Sequence, residues 1–324
     1  PSLVGSEMCI RDRVLLIEKE VWPRDKICGD AVGGKSLSHV EGLGVKEDLE
    51  STPHFRVTGI VFSSPKGNSV RVPLPEEDVE RLEAGYALPR AQFDSLLFNR
   101  CQSKVRDVGG SVIQGGEVRT VLFDDGKGGE DPGEGSGDAR HAAGVVVRIG
   151  GRKGEERTYY SRELVGAAGY RCPVAYSVVE STYGEEMVDR DHYCGGYREY
   201  WRNVKGCGEN VGDIEIHFVD TVIPGYFWLF PVSENVVNVG IGMVVGLLSK
   251  QKKKLKALQA DVIANHPMFK ERFADAELIP KSARGWQLPF GSPRKKNSRQ
   301  PRRSSMNGIR LVGDAASLID PFSG

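Results

Sequence analysis

Three features of the 324-residue sequence predict a mixed α/β chain, with a Rossmann-like domain interleaved with an α+β domain built on an antiparallel sheet. The apolar run Val14–Ile17 stops at an acid, Glu18, as a parallel strand does where it meets a ribose. A second apolar run, Ile309–Val312, leads into Gly313-Asp314. Between them, residues 171–290 hold several strand-like runs and one amphipathic helix near 246–265.

The elements follow in order. Residues 23–44 read as a glycine-punctuated loop running into a short helix that Gly42 or Gly44 stops. Residues 55–74 hold two β-rich runs around Pro65-Lys66-Gly67-Asn68, a hairpin signal. Residues 90–105 place Phe93, Leu96, Leu97 and Cys101 on one helical face, with Arg90 at the N-terminus. Strand-like runs follow on both sides of 124–144, whose glycines and acids read as a solvated, disordered hairpin tip. A strand meets a glycine turn at 162–169, and 292–308 carries six cations and no acid, a solvated basic insertion. The expected domain bounds are 14–50, 85–170 and 305–324 for the dinucleotide-binding part, and 51–84 and 171–304 for the substrate-binding part.

Composition removes several functions. Lys+Arg and Asp+Glu both total 44, so no overall charge draws the chain to nucleic acid. Six cysteines without a CxxC pair or His/Cys cluster fit reduced thiols and predict no metal site. No run reaches membrane-span length.

Three separated pieces converge on one ligand, a flavin dinucleotide. Glu18 at a strand end suits ribose hydroxyls. Asp314, after Gly313, suits a ribitol hydroxyl or a water on the pyrophosphate. The closing DPFSG, with Pro321 and Gly324, offers a rigid turn and then bare amides at a helix start, suited to negative charge on a reduced flavin ring. Arg90 adds a guanidinium. The phosphate-binding glycine loop expected about 20 residues before Glu18 does not precede it.

In PGYFWLFPVSENVVNVGIG (224–242), strand alternation sends Tyr226, Trp228 and Phe230 to one face and Phe227 and Leu229 to the other. Three rings on one face make either a sheet core or an apolar wall for a long lipid. Gly240 and Gly242 on the returning strand remove side chains where a ligand approaches. Cys28-Gly29 reads as a small buried hydrophobe or as a thiol beside a close-packed backbone turn.

VLLIEKE, PRDKICGDAVGGK, LPRAQFDSLLF and LVGDAASLIDPFSG, in that order, resemble the geranylgeranyl reductase family of FAD-dependent oxidoreductases, within the aromatic hydroxylase-like flavoproteins. The sharpest likeness is the family pattern PxYxWxFP and GxG at Pro224, Tyr226, Trp228, Phe230, Pro231, Gly240 and Gly242. The resemblance implies an FAD-dependent reductase of isoprenoid carbon–carbon double bonds, drawing electrons from NADPH or another donor. It implies a polyprenyl lipid, diphosphate, chlorophyll or quinone substrate, with peripheral membrane contact. It assigns Glu18, Cys28, Gly29, Arg90, Asp314, Pro321 and Gly324 to the cofactor. Tyr226, Trp228, Phe230, Pro231, Gly240 and Gly242 go to the substrate, and Cys28, Tyr226 and Trp228 to the chemistry. Gly166–Cys172 departs from the family's GADGxxS pattern, with Ala168 for the acid and Cys172 for the serine. Two alternatives stand beside this reading: a monooxygenase or halogenase-like flavoenzyme, and a nonenzymatic prenyl-lipid-binding protein. Residues 1–13 resemble a translated adapter tract and receive no function. Val14–Glu18 is then the second strand of an FAD domain whose first strand and glycine loop are missing, and the chain as it stands is expected to bind FAD poorly.

Overall fold

A computed structural model describes residues 13–320 except 34, 81–84, 125–139, 188, 209–211, 292 and 294–299. The described residues form two compact units, each drawn from separated stretches of chain. Pro1–Trp22, Gln102–Tyr193 and Leu288–Gly324 supply the first; Pro23–Cys101 and Cys194–Gln287 supply the second.

In the first unit, the strand Leu15–Glu18 pairs in parallel with Ser111–Gln114, bringing Glu18 opposite Gln114. Leu164–Gly166 pairs in parallel with Ile309–Leu311, and Ser305–Met306 joins antiparallel. Gly116–Asp124, His141–Ile149 and Glu155–Tyr160 make an antiparallel meander. Its first hairpin is paired out to Asp124 and His141, so the strands take part of the expected tip, and 125–139 lies outside the described residues. The turn after Leu164–Gly166 is closely packed: a Cβ at Gly166 would lie 2.7 Å from Leu311 Cδ2 and 3.2 Å from Cys172 Sγ.

The basic segment 292–308 is not solvated throughout. Arg302 is buried and donates to the carbonyls of Met187 and Ala315 at 2.9 and 3.0 Å. Arg303 pairs with Glu185 at 3.2 Å and covers the Tyr183 ring. A charge run therefore hid two side chains recruited by buried acceptors.

The second unit carries an eight-stranded sheet. Its path runs Glu277–Leu278, Tyr193–Arg202, Val236–Val244, Gly225–Ser233, Asp213–His217, Gly59–Ser63 and Ser69–Pro73, with Arg284–Pro289 pairing beside Tyr193–Arg202. The expected hairpin is its edge, with Ser63 opposite Ser69. Phe227 and Leu229 are fully buried with Val239, Ile241, Phe269 and Val262, each buried side chain contributing about 2–3 kcal/mol of apolar transfer. The helix expected near 246–265 is two helices, Val245–Lys250 and Leu255–Asn265. Lys252 breaks it by taking a left-handed φ of +51°.

A small sheet of Ala31–Gly33, Gly85–Ala87 and Phe55–Arg56 completes this unit. The strand at 31–33 interrupts what reads from sequence as loop. The helix Lys35–Gly42 ends as expected: Gly44, at φ +68°, donates to Glu41 O, and Val45 donates to Val40 O. The two units are bounded differently from the expected domains. Residues 23–50 and 85–101 pack in the second unit, because Val32, Val40, Val45, Leu49, Tyr86 and Leu88 share one apolar cluster. Residues 171–193 and 288–304 go to the first unit, where Cys172, Val174, Val178 and Met187 pack with Ile309 and Leu311. On the helix Arg90–Asp107, Cys101 is exposed and Phe98 takes the buried position.

Candidate active site

Register builds one face of the large sheet in three rows. Gly196, Gly242 and Tyr226 face one another across three strands; so do Arg198, Gly240 and Trp228, and Tyr200, Asn238 and Phe230. The aromatic rings follow each other along this face, with 6.0 Å between the Tyr226 and Trp228 centroids and 6.4 Å between Trp228 and Phe230. Pro231, expected among them, alternates to the opposite face with Phe227 and Leu229. The glycines are filled by protein. A Cβ at Gly240 would lie 2.0 Å from Trp228 Cζ2, and one at Gly242 would lie 3.2 Å from Cys194 Sγ. Gly240 thus seats the Trp228 indole.

The loop through Cys28-Gly29 packs on this face. A Cβ at Gly29 would come within 2.5 Å of Phe230 Cε2, so only glycine admits the ring. Asn238 then locks the loop. Its Nδ2 donates to Cys28 O at 2.7 Å and to Asp30 Oδ2 at 2.8 Å, while its Oδ1 accepts from Trp228 Nε1 at 2.9 Å. Both amide protons are used, which fixes the amide's orientation.

Asp30 is fully buried and left-handed at φ +69°, a conformation open to Asp at modest cost. Its carboxylate also accepts from Tyr200 Oη at 2.5 Å and from Arg90 N at 3.3 Å. Burial pushes the Asp30 carboxyl up to about 6, although hydrogen bonds from Tyr200 and Asn238 and the charge of Arg198 pull it down. Arg198 is itself buried and gives Nη2 to both Asp25 oxygens at 2.6 and 2.7 Å and Nη1 to Ser282 O at 2.6 Å.

Arg90 gives Nε to Asp94 Oδ1 at 2.6 Å, and Arg24 approaches Asp94 Oδ2 at 3.2 Å. Burial would lower the Arg90 guanidinium, but the Cys28 thiol and the Asp94 carboxylate beside it hold it above its ordinary value. Burial, with Cys194 and Cys28 nearby, pushes the Tyr226 phenol up to about 12, so it keeps its proton at neutral pH.

Cys28, Gly29, Arg90, Tyr226, Trp228 and Phe230 therefore meet within the second unit. Glu18 and Asp314 belong to the first. Glu18 is half-buried at the C-terminal end of its parallel strand and accepts from Glu20 N at 2.9 Å. Asp314 is half-buried in the turn after Ile309–Leu311, where Gly313 takes φ +58°. Two acids at the ends of parallel strands fit a ligand rich in hydroxyls, as the adenosine and ribitol parts of FAD are. Pro321 and Gly324 lie outside the described residues. A cavity of about 610 Å³ in the first unit is lined by Phe123, Arg140, Tyr170, Arg171, Tyr176 and Met187, among others. None of the site residues expected from sequence lines it.

Asp30, Asn238, Tyr200, Arg198, Asp25 and Asp94 were missed. Asn238 carries a readable signal: it lies two residues before Gly240, in phase with both motif glycines, as a polar residue inside an apolar strand.

This fold is shared with FAD-dependent flavoproteins. The myxobacterial chondrochloren halogenase superposes with a TM-score of 0.72 at 24% identity, over 97% of this chain and 65% of that one. A geranylgeranyl bacteriochlorophyll reductase-like protein from Thermoplasma acidophilum gives 0.70 at 21%, over 95% and 66%. Residues 193–279 match the family model for the geranylgeranyl reductase catalytic domain. Over this region the chain is similar to the geranylgeranyl reductase family. A digeranylgeranylglycerophospholipid reductase of Methanococcoides burtonii is 36% identical over 317 residues, covering 96% of this chain and 64% of that protein. A menaquinone reductase of Mycobacterium tuberculosis is 23% identical over 323 residues, covering 96% and 66%. The chain thus spans less than two-thirds of the length of these curated relatives.

Proposed function

We propose that the protein is an FAD-dependent reductase that saturates isoprenoid carbon–carbon double bonds, taking electrons from NADPH or another donor. The observation that carries this reading is the aromatic face of Tyr226, Trp228 and Phe230, which lies inside the matched catalytic region and is set against the Cys28-Gly29 loop. Relatives named for geranylgeranyl phospholipid and menaquinone substrates support a membrane lipid or quinone side chain. No helix among the described residues is long and apolar enough to cross a membrane. Such a substrate would be met by peripheral contact with the bilayer.

FAD, when bound, supplies hydride to one alkene carbon. Glu18 would accept from the ribose hydroxyls, and Asp314 would accept from a hydroxyl or bound water. The three rings exclude water along an apolar chain and align it. An isolated alkene accepts hydride poorly, so a proton must reach the second carbon. Tyr226 holds a phenolic proton at neutral pH, and the Cys28 side chain lies beside the Arg90 guanidinium. Tyr226 and Cys28 are the candidate proton donors by location, with an ordered water as the alternative.

The test uses the flavin-loaded protein expressed from its entire reading frame, under anaerobic conditions with a geranylgeranyl lipid. A product heavier by two hydrogens for each bond reduced supports the reading. The halogenase likeness favours one second reading, an oxygen-dependent flavoenzyme. Product that forms only when oxygen is admitted would establish that instead.

A further inference from the structure

We propose that Asp30 is a positioning residue for the Cys28 thiol, acting through Asn238, which binds the thiol-bearing loop and the Trp228 indole into one rigid piece. Each link is a direct contact. Asn238 has a single amide, and it serves the Cys28 carbonyl, the Asp30 carboxylate and the Trp228 indole together. Without Asp30, one proton of the Asn238 amide loses its acceptor and the amide is held by the Cys28 carbonyl and the Trp228 indole alone. The indole N–H only donates and the Cys28 carbonyl only accepts, so the amide presents its oxygen to Trp228 and its nitrogen to Cys28, and Asp30 anchors it there by taking the second proton.

Asp30 is in turn over-determined. Tyr200 Oη and Arg90 N donate to it, and its left-handed backbone persists because these partners hold it. The charged and titratable groups around it are Tyr200 and Arg198 from the strand Tyr193–Arg202, Arg90 from the helix head, and Asp25 and Cys28 from its own loop. Arg198 is committed to Asp25, so neutral donors supply most of the hydrogen bonding that Asp30 receives. The consequence is a fixed wall. Gly29 lies on Phe230, Cys28 O is tied to the amide that holds Trp228, and the thiol is kept beside Arg90.

The test reads Cys28 without turnover, so it stands apart from the proposed function, on which only the meaning of the thiol's position rests. The flavin-loaded protein is treated with iodoacetamide, and labelling of Cys28 is followed by peptide mass mapping, which separates it from the exposed Cys101. Asn238→Ala is expected to raise the Cys28 labelling rate roughly tenfold, the scale set by one lost buried hydrogen bond. Tyr200→Phe removes only a hydroxyl and is expected to give a smaller rise. The exchanged pair Asp30→Asn with Asn238→Asp discriminates further. It keeps a donor on one residue, an acceptor on the other and the acceptor for Trp228, but leaves no donor for Cys28 O. Its tryptophan fluorescence is expected to match the parent while Cys28 stays labile. In turnover, kcat should fall in all three with KM nearly unchanged. Parent-like labelling in Asn238→Ala and Tyr200→Phe would overturn the proposal. Should Asn238→Ala fail to fold, parent-like labelling in Tyr200→Phe and the exchanged pair overturns it equally.

Discussion

Two buried carboxylates of the second unit, Glu215 on the large sheet and Asp30 in the loop packed on it, behave in opposite ways. Glu215 receives Arg272 in a bidentate pair at 2.6 and 2.7 Å, and His217 Nε2 lies 2.9 Å from its other side. His217 Nδ1 continues to Ser63 Oγ at 2.8 Å. Burial pushes Glu215 up, but Arg272 and then His217 outweigh it and bring it down to about 2. Asp30 is at least as deeply buried, yet its direct donors are a phenol, an amide and a backbone N–H, and its carboxyl ends near 6. Burial sets the same cost in both places; a committed guanidinium decides which wins. The first arrangement is a buried ion pair, and the second is a carboxylate joined through Asn238 to the backbone of Cys28.

The comparison breaks most visibly at Arg272. Arg272→Met strands Glu215 in the interior and is expected to cost about 3–5 kcal/mol in urea unfolding. The pH dependence of stability should then separate the two acids by sign. Folded Glu215 binds its proton more weakly than the unfolded chain does, with values near 2 and 4.5. Its contribution of about 3 kcal/mol is present above pH 4.5 and is lost as pH falls toward 2. Folded Asp30 binds its proton more tightly, near 6 against 3.8. Stability from this group is therefore greatest below about pH 4 and falls by about 3 kcal/mol as pH rises through 6. Glu215→Gln should remove the first slope, and Asp30→Asn the second, in parallel urea titrations across pH.

Smaller effects sharpen the picture around Asp30. Gly240→Ala forces a methyl into the Trp228 indole and is expected to cost about 1–3 kcal/mol, with a changed tryptophan emission. Trp228→Phe keeps a ring but removes the donor to Asn238, and about 1 kcal/mol of stability should go with it in thermal melts. If Trp228→Phe cost more than Gly240→Ala, the indole's hydrogen bond would outrank its packing.

Alternation made the aromatic face legible before any coordinates, because Tyr226, Trp228 and Phe230 must share a side of a strand while Phe227 and Leu229 take the other. Pro231 went to the substrate on the strength of the motif, whereas its phase sets it with Phe227 and Leu229. The strand-end positions of Glu18 and Asp314 could be read because strand ends carry their own pattern. Asp30 could not: a lone acid after Cys-Gly looks like a loop residue, and only long-range pairing brings it against Tyr200 and Asn238, 170 and 208 residues away. Arg302 and Arg303 were hidden for the same reason. Their acceptors lie more than 100 residues back, at Met187 and Glu185.

The central claim is that the reduced flavin passes its electrons to an isoprenoid double bond and not to oxygen. Anaerobic addition of a geranylgeranyl lipid to the pre-reduced, flavin-loaded protein tests it most directly, read by the return of the oxidised flavin spectrum. The account expects reoxidation in step with saturated product, and slower in Cys28→Ala. A flavin that stays reduced with the lipid and reoxidises only when air is admitted would contradict it.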